Sequence, residues 1–170
     1  MTAQQRRDAI LDILSQASGP VSAAALAGRF SVSRQLIVGD VALLRAGGAA
    51  IDATARGYVI QRSREGLRRQ VACRHQGPDM EKELQIIVDN GCTVLDVIVE
   101  HPVYGQLTGG LDLSSRYDVR QFIRLAQTAQ PLSLLTEGVH LHTLLCPGQE
   151  AFLRVREELA DAGFLLEQDE

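Results

Sequence analysis

The chain lacks most of what marks a membrane, secreted or catalytic protein. No apolar run in its 170 residues approaches the ~20 needed to cross a bilayer, so membrane insertion is not expected. The first residues, MTAQQRRDAILDIL, place apolar side chains at helical spacing and have no continuous apolar segment or small-residue cleavage site, which argues against secretion. A cytoplasmic location is the expectation. The three cysteines, Cys73, Cys92 and Cys146, are odd in number and form no CxxC pair, a pattern of buried thiols in a reducing compartment rather than of a disulfide framework. The sequence has no HExxH, no glycine-rich phosphate loop and no GxSxG elbow, so it is not expected to be an enzyme. Internal repeats and low-complexity tracts are also missing.

What is present is an ordinary globular composition with its charge segregated. Residues 1–66 hold 8 basic and 5 acidic side chains, a balance of +3, whereas residues 67–170 hold 9 and 16, a balance of −7. Only the first segment is suited to meet phosphate. Two modest domains are expected, 1–62 and 63–170, joined through the charged, aperiodic stretch 61–69.

In the first segment three helices precede a short hairpin. Ala9, Ile10, Ile13 and Leu14 recur at helical spacing until Gly19-Pro20. Ser22 caps a second helix, 23–30, and Ser31 or Ser33 caps a third that Gly47-Gly48 ends. Within the third, Ile37, Val41 and Leu44 form one buried stripe, leaving Arg34, Gln35 and Val38 to face outward. Residues 51–53 and 58–60 read as strands around a turn at 54–57. This is the pattern of a winged helix-turn-helix, which sets one helix in the DNA major groove. Arg34 and Gln35 stand where base edges would be, Val38 where a thymine methyl would be, and Ser31 and Ser33 beside phosphate. Arg56 sits at the wing tip, and Arg6 and Arg7 are further phosphate candidates.

The second segment alternates strands and helices: strands at 67–75, 92–100, 106–111 and 136–145, and helices at 77–89, from Ser115, and at 149–162. A mixed sheet with helices on one face, an α+β arrangement, is expected. All four histidines fall here. In Val139-His140-Leu141-His142-Thr143 the two imidazoles project from one face of a strand about 7 Å apart at their backbones. His75 ends another strand, and Glu83 lies on the first turns of the following helix. Three imidazoles and one carboxylate suit a divalent transition metal, with nickel, zinc and iron not distinguished. The bland reading is solvated or core histidines. His101-Pro102-Val103-Tyr104-Gly105 is either a turn whose Pro and Gly set the backbone or, through His101 and Tyr104, the wall of an effector pocket.

Over nearly its whole length the chain resembles the niacin-responsive transcriptional repressors, which join a winged helix-turn-helix to a C-terminal "3H" domain named for three histidine motifs. The passages that carry the resemblance are VSAAALAGRFSVSRQLIVGDVALLRAGG with IDATARGYVI, then CRH, KELQIIVDNG, DVIVEHPVYGQL and TEGVHLHTLLCP. The resemblance implies a homodimer on a palindromic double-stranded DNA operator, repression of NAD biosynthesis or niacin uptake genes, and nicotinic acid as co-repressor. It also implies a divalent metal held by residues matching His75, Glu83, His140 and His142. The family's third histidine motif matches His101. The chain departs from the pattern at Gly39, where Arg is expected, so operator affinity or sequence is expected to differ. The alternatives are a regulator that responds to metal alone, or a metal-dependent enzyme fused to a DNA-binding domain.

Overall fold

The computed structural model of the chain describes residues 1–62, 64–129, 131–132 and 136–167 and divides it into two compact units, Met1–Ser63 and Arg64–Glu170. Ser63, inside the expected connection, lies outside the described residues.

The first unit is built from helices α1 (Ala3–Gln16), α2 (Ala23–Phe30) and α3 (Arg34–Ala46) and strands β1 (Ile51–Thr54) and β2 (Gly57–Ile60). Each helix starts on a hydroxyl: the side-chain oxygens of Thr2, Ser22 and Ser33 accept the N–H of Gln5, Ala25 and Leu36. Ser31 has a different job from the one expected. It adopts a left-handed conformation at φ 55° and ends α2, so the chain reverses there and α3 begins at Arg34. The core comes from one stripe of each helix, with Ile10, Leu14, Leu26, Ile37 and Val41 buried together with Ile51 of β1.

β1 and β2 pair antiparallel from Ile51↔Ile60 to Thr54↔Gly57, leaving a two-residue turn at Ala55-Arg56. Val21 bridges to Tyr58 on the other side of β2. Gly57 sits at φ +138°, and a Cβ there would lie 2.4 Å from the Val21 carbonyl, so the close approach that anchors the hairpin requires glycine.

Two expectations for this unit are corrected. Arg6 and Arg7 are held by Asp40 on α3 rather than left for phosphate: Arg6 Nε donates to Asp40 Oδ2 at 2.6 Å, and Arg7 lies 3.6 Å from Oδ1. Asp40 is only 3% exposed, and a buried carboxylate needs such partners. Val38 is half-buried against the core instead of facing outward, because it flanks the stripe of Ile37 and Val41.

The second unit is α+β. It contains β3 (Leu67–Arg74), a 3-10 turn (Gly77–Asp79), α4 (Met80–Asp89), β4 (Thr93–His101), β5 (Gly105–Leu113), α5 (Arg116–Ala126), β6 (Val139–Cys146) and α6 (Gln149–Asp161). The strands lie in the order β5-β4-β6-β3, every neighbouring pair antiparallel. Leu84 and Ile87 of α4, Val119 of α5 and Phe152, Val155 and Leu159 of α6 share one core with Val71, Val94, Leu113 and Leu144 of the sheet. The outer edge of β3 is covered by the segment after α6, where Cys73 bridges Leu165 and Leu166 N–H donates to the Ala72 carbonyl.

Two irregularities interrupt the sheet. Between Val94 and Ile98, β4 advances four residues while β6 advances three, from Leu144 to Leu141, so β4 carries a bulge. β6 starts only at Val139, because Gly138 turns the chain at φ +90°. A Cβ on Gly138 would lie 2.3 Å from the His75 carbonyl.

Candidate functional site

Four ionisable side chains are gathered in the interior of the second unit. The antiparallel register of β3 and β6 sets Cys73 opposite His140 and Val71 opposite His142, so His140 and His142 point to the face that carries the helices. His75 follows β3 directly and is tied to β6 by its N–H to the Gly138 carbonyl at 3.4 Å. α4 then brings Glu83, on its first turn, beneath all three rings.

Glu83 is fully buried and is met by each imidazole. Its Oε1 lies 2.9 Å from His140 Nε2 and 2.8 Å from His142 Nε2, and its Oε2 contacts His75 Nε2. The rings stand edge to face, with 4.8 Å between the centroids of His75 and His140 and the same between His140 and His142. Phe164 closes the His75 side at 5.4 Å.

The far nitrogens decide the chemistry. His75 Nδ1 bonds the Gln76 carbonyl at 2.9 Å, His140 Nδ1 the Gly138 carbonyl at 2.8 Å and His142 Nδ1 the Asp96 carbonyl at 2.8 Å. A carbonyl only accepts, so each Nδ1 carries a proton. Each neutral ring therefore turns a bare Nε2 lone pair toward a carboxylate, an acceptor against an acceptor. Two arrangements resolve this: the rings take up further protons, or a cation lies among the four groups. The backbone carbonyl behind each ring is the usual support of a metal-ligating imidazole, because it fixes both tautomer and orientation.

With these groups alone, electrostatics favours extra protons. Burial by itself would raise the Glu83 carboxyl, but the charge of His142 and hydrogen bonds from the three imidazoles hold it well below the usual carboxylate range. Burial would likewise lower His75 and His142, yet hydrogen bonding and charge from Glu83 leave both above the ordinary imidazole value. The donor set, three imidazoles and one carboxylate, fits a late divalent transition metal.

Three contributors do not stand out in the sequence. Cys73, which reads there as a buried small hydrophobe, lies against the site: its Sγ, a Glu83 oxygen and a His140 ring nitrogen all fall within 4.8 Å of one another. The Cys-x-His spacing of Cys73 and His75 is the signal that points to it. The Asp96 carbonyl becomes available to His142 at the β4 bulge, and the Asp96 carboxylate also accepts the Thr143 N–H at 2.9 Å. Gly138 serves both His75 and His140.

His101 is not part of this cluster. It ends β4, where its Nδ1 accepts the N–H of Val103 at 3.1 Å and of Tyr104 at 3.2 Å, and its ring lies 5.0 Å from that of Tyr104. Its tautomer is therefore opposite to that of the other three, with the proton on Nε2. Tyr104, at the tip of the hairpin, is 74% exposed.

In the first unit, α3 presents Arg34 and Gln35 to solvent, with Ser31 and Ser33 exposed at its start. Leu36 takes the outward place expected of Val38, and Leu43 lies one stripe further along the same open face. Gly39 lies between them with nothing within 4 Å of where its Cβ would be. Arg56 occupies the wing turn, where its N–H donates to Thr54 Oγ1 at 3.2 Å.

No helix among the described residues is long and apolar enough to cross a membrane. Residues 6–59 match the family described as an HTH domain, and residues 68–168 match the 3H domain. The chain is 46% identical over 167 residues to "Probable transcription repressor NiaR" of Thermotoga maritima, covering 97% of this chain and 95% of that protein. It is 41% identical over 167 residues to "Transcription repressor NadR" of Bacillus subtilis, covering 95% of this chain and 93% of that protein.

Proposed function

Because the chain belongs to the family of transcription repressors that join an N-terminal helix-turn-helix to a C-terminal 3H domain, we propose that it is a niacin-responsive repressor of NAD biosynthesis or niacin uptake genes. In this reading it acts in the cytoplasm as a homodimer on a palindromic operator, with nicotinic acid as co-repressor and a divalent transition metal in the second unit. The observation that carries the reading is the convergence of three Nε2 lone pairs on buried Glu83, each ring fixed from behind by a backbone carbonyl.

His75, Glu83, His140 and His142 would hold the metal, which when bound supplies a Lewis-acid point suited to a pyridine nitrogen. The backbone carbonyls behind the rings keep each Nδ1 protonated and each Nε2 turned toward Glu83, where a metal would displace any further proton. His101 and Tyr104 are the proposed effector contacts. With Nδ1 committed to the turn, the Nε2–H of His101 is free to donate to a carboxylate, and the exposed Tyr104 ring offers an aromatic face. On the DNA side Arg34 and Gln35 read base edges, Ser31 and Ser33 meet phosphate, and Arg56 reaches from the wing. Leu36 replaces Val38 as the contact for a thymine methyl, since Val38 turns partly inward.

The effector moves the operator equilibrium only by its differential affinity for the DNA-competent state. An operator gel shift with nicotinic acid and metal varied independently tests the reading. Retardation that needs both supports it; retardation complete with metal alone would make the protein a metal sensor.

A further inference from the structure

We propose that Cys73 is a thiolate ligand of the metal site formed by His75, Glu83, His140 and His142, an inference that rests on the reading of those four residues as ligands. The β3–β6 register places Cys73 directly across from His140, and Cys73 precedes His75 by two residues, so both come to the site from the same stretch of chain. Cys73 is fully buried, and its Sγ lies within 4.8 Å of both a Glu83 oxygen and a His140 ring nitrogen. The other two thiols, Cys92 and Cys146, neighbour each other instead.

Charge gives the reason for a thiolate. Three neutral imidazoles and one carboxylate leave a divalent ion with one uncompensated positive charge among buried residues, and such a charge is costly to desolvate. A thiolate brings the sum to zero. As the sulfur–metal bond forms the S–H bond breaks, and its proton passes to solvent; nothing is oxidised or reduced. A mixed nitrogen, oxygen and sulfur set selects borderline-soft ions such as zinc, cobalt and nickel over magnesium and calcium.

The test uses full-length protein loaded with cobalt(II). The proposal expects visible d–d bands together with a sulfur-to-cobalt charge-transfer band in the near ultraviolet. Cys73→Ser should lose the second band while keeping stoichiometric cobalt and the first, and Cys92→Ser and Cys146→Ser should retain both. X-ray absorption of zinc-loaded wild type should show a sulfur shell at about 2.3 Å beside nitrogen and oxygen at about 2.0–2.1 Å, whether or not any variant folds. Bound cobalt without the charge-transfer band, a band that survives Cys73→Ser, or a zinc shell of nitrogen and oxygen alone would overturn the role of Cys73 and leave the four-residue site standing. Failure of the wild type to retain cobalt would overturn both.

Discussion

Each unit buries a carboxylate against basic side chains, Asp40 in the first and Glu83 in the second, and the two are treated differently. In the first, Asp40 sits between the guanidinium groups of Arg6 and Arg7, permanent cations that neutralise it in every condition the cell meets. In the second, Glu83 sits among three imidazoles whose Nδ1 protons are already committed to backbone carbonyls, so its neutralisation waits on extra protons or on a metal ion. One arrangement is closed and structural: it ties α1 to α3. The other is open to chemistry, since its carboxylate can be met by extra protons or by a metal ion.

The contrast is sharpest when each unit is broken alone. The double variant His140→Ala/His142→Ala should lose metal from stoichiometric to background, measured by elemental analysis after gel filtration, with the helical circular dichroism of the first unit retained. Ile37→Ala should do the reverse. Removing a fully buried side chain from the core of the first unit costs about 2–5 kcal/mol, so operator binding should fail while metal content stays unchanged. Metal loss in the second variant would mean that the two sites are not separable.

A milder test leaves every proposed ligand in place. Gly138→Ala forces the carbonyls of Gly138 and His75 apart and so disturbs the support of two imidazoles. Metal affinity should fall about 10–100-fold, as for other losses of support behind a ligand, in a competition titration with a chromophoric chelator. Unchanged affinity would show that the Gly138 carbonyl is dispensable.

The next difference is one of sign. In metal-free protein, His75 and His142 titrate above their ordinary value and Glu83 far below its own. The stability the two imidazoles contribute is complete below the unfolded imidazole value near ~6.5 and is lost as pH rises through the raised folded values. The Glu83 contribution is lost only at the acid end, below about 4.5 and down through its depressed value. With metal bound the dependence reverses, because protons compete with metal for Nε2. Thermal melts of the second unit from about pH 6 to about pH 8 should therefore fall without metal and rise with it. Slopes of the same sign would contradict the proposed ligand set.

The smallest effect belongs to the proposed DNA face. Gly39 is open to solvent, so Gly39→Arg meets no steric obstacle and removes a helix-interior glycine that costs about 1 kcal/mol. Operator affinity should rise, and the salt dependence should steepen by about one phosphate contact. No gain at low salt would place Gly39 away from the DNA.

How much of this is legible in the sequence depends on whether side-chain type or chain geometry carries the information. Ser22 and Ser33 declare their helices because a hydroxyl before an apolar repeat has a local role. His75, Glu83, His140 and His142 group together because their chemistry is specific and their spacings suit one face. What stays hidden is set by register and backbone. The Arg6–Asp40 pair spans 34 residues, and nothing local marks it. The Asp96 carbonyl reaches His142 only through a bulge, and a carbonyl leaves no trace in residue type. Cys73 reads as a small hydrophobe because its neighbour across the sheet, His140, is fixed by the β3–β6 register.

In the proposed switch the Glu83 site governs the DNA-binding unit. Operator affinity measured by fluorescence anisotropy with metal present and nicotinic acid titrated, in wild type and in His140→Ala/His142→Ala, tests it most directly. Nicotinic acid should tighten wild-type binding about 5–150-fold, the usual range of coupling between sites, and leave the double variant unchanged. Equal tightening in both proteins would contradict it.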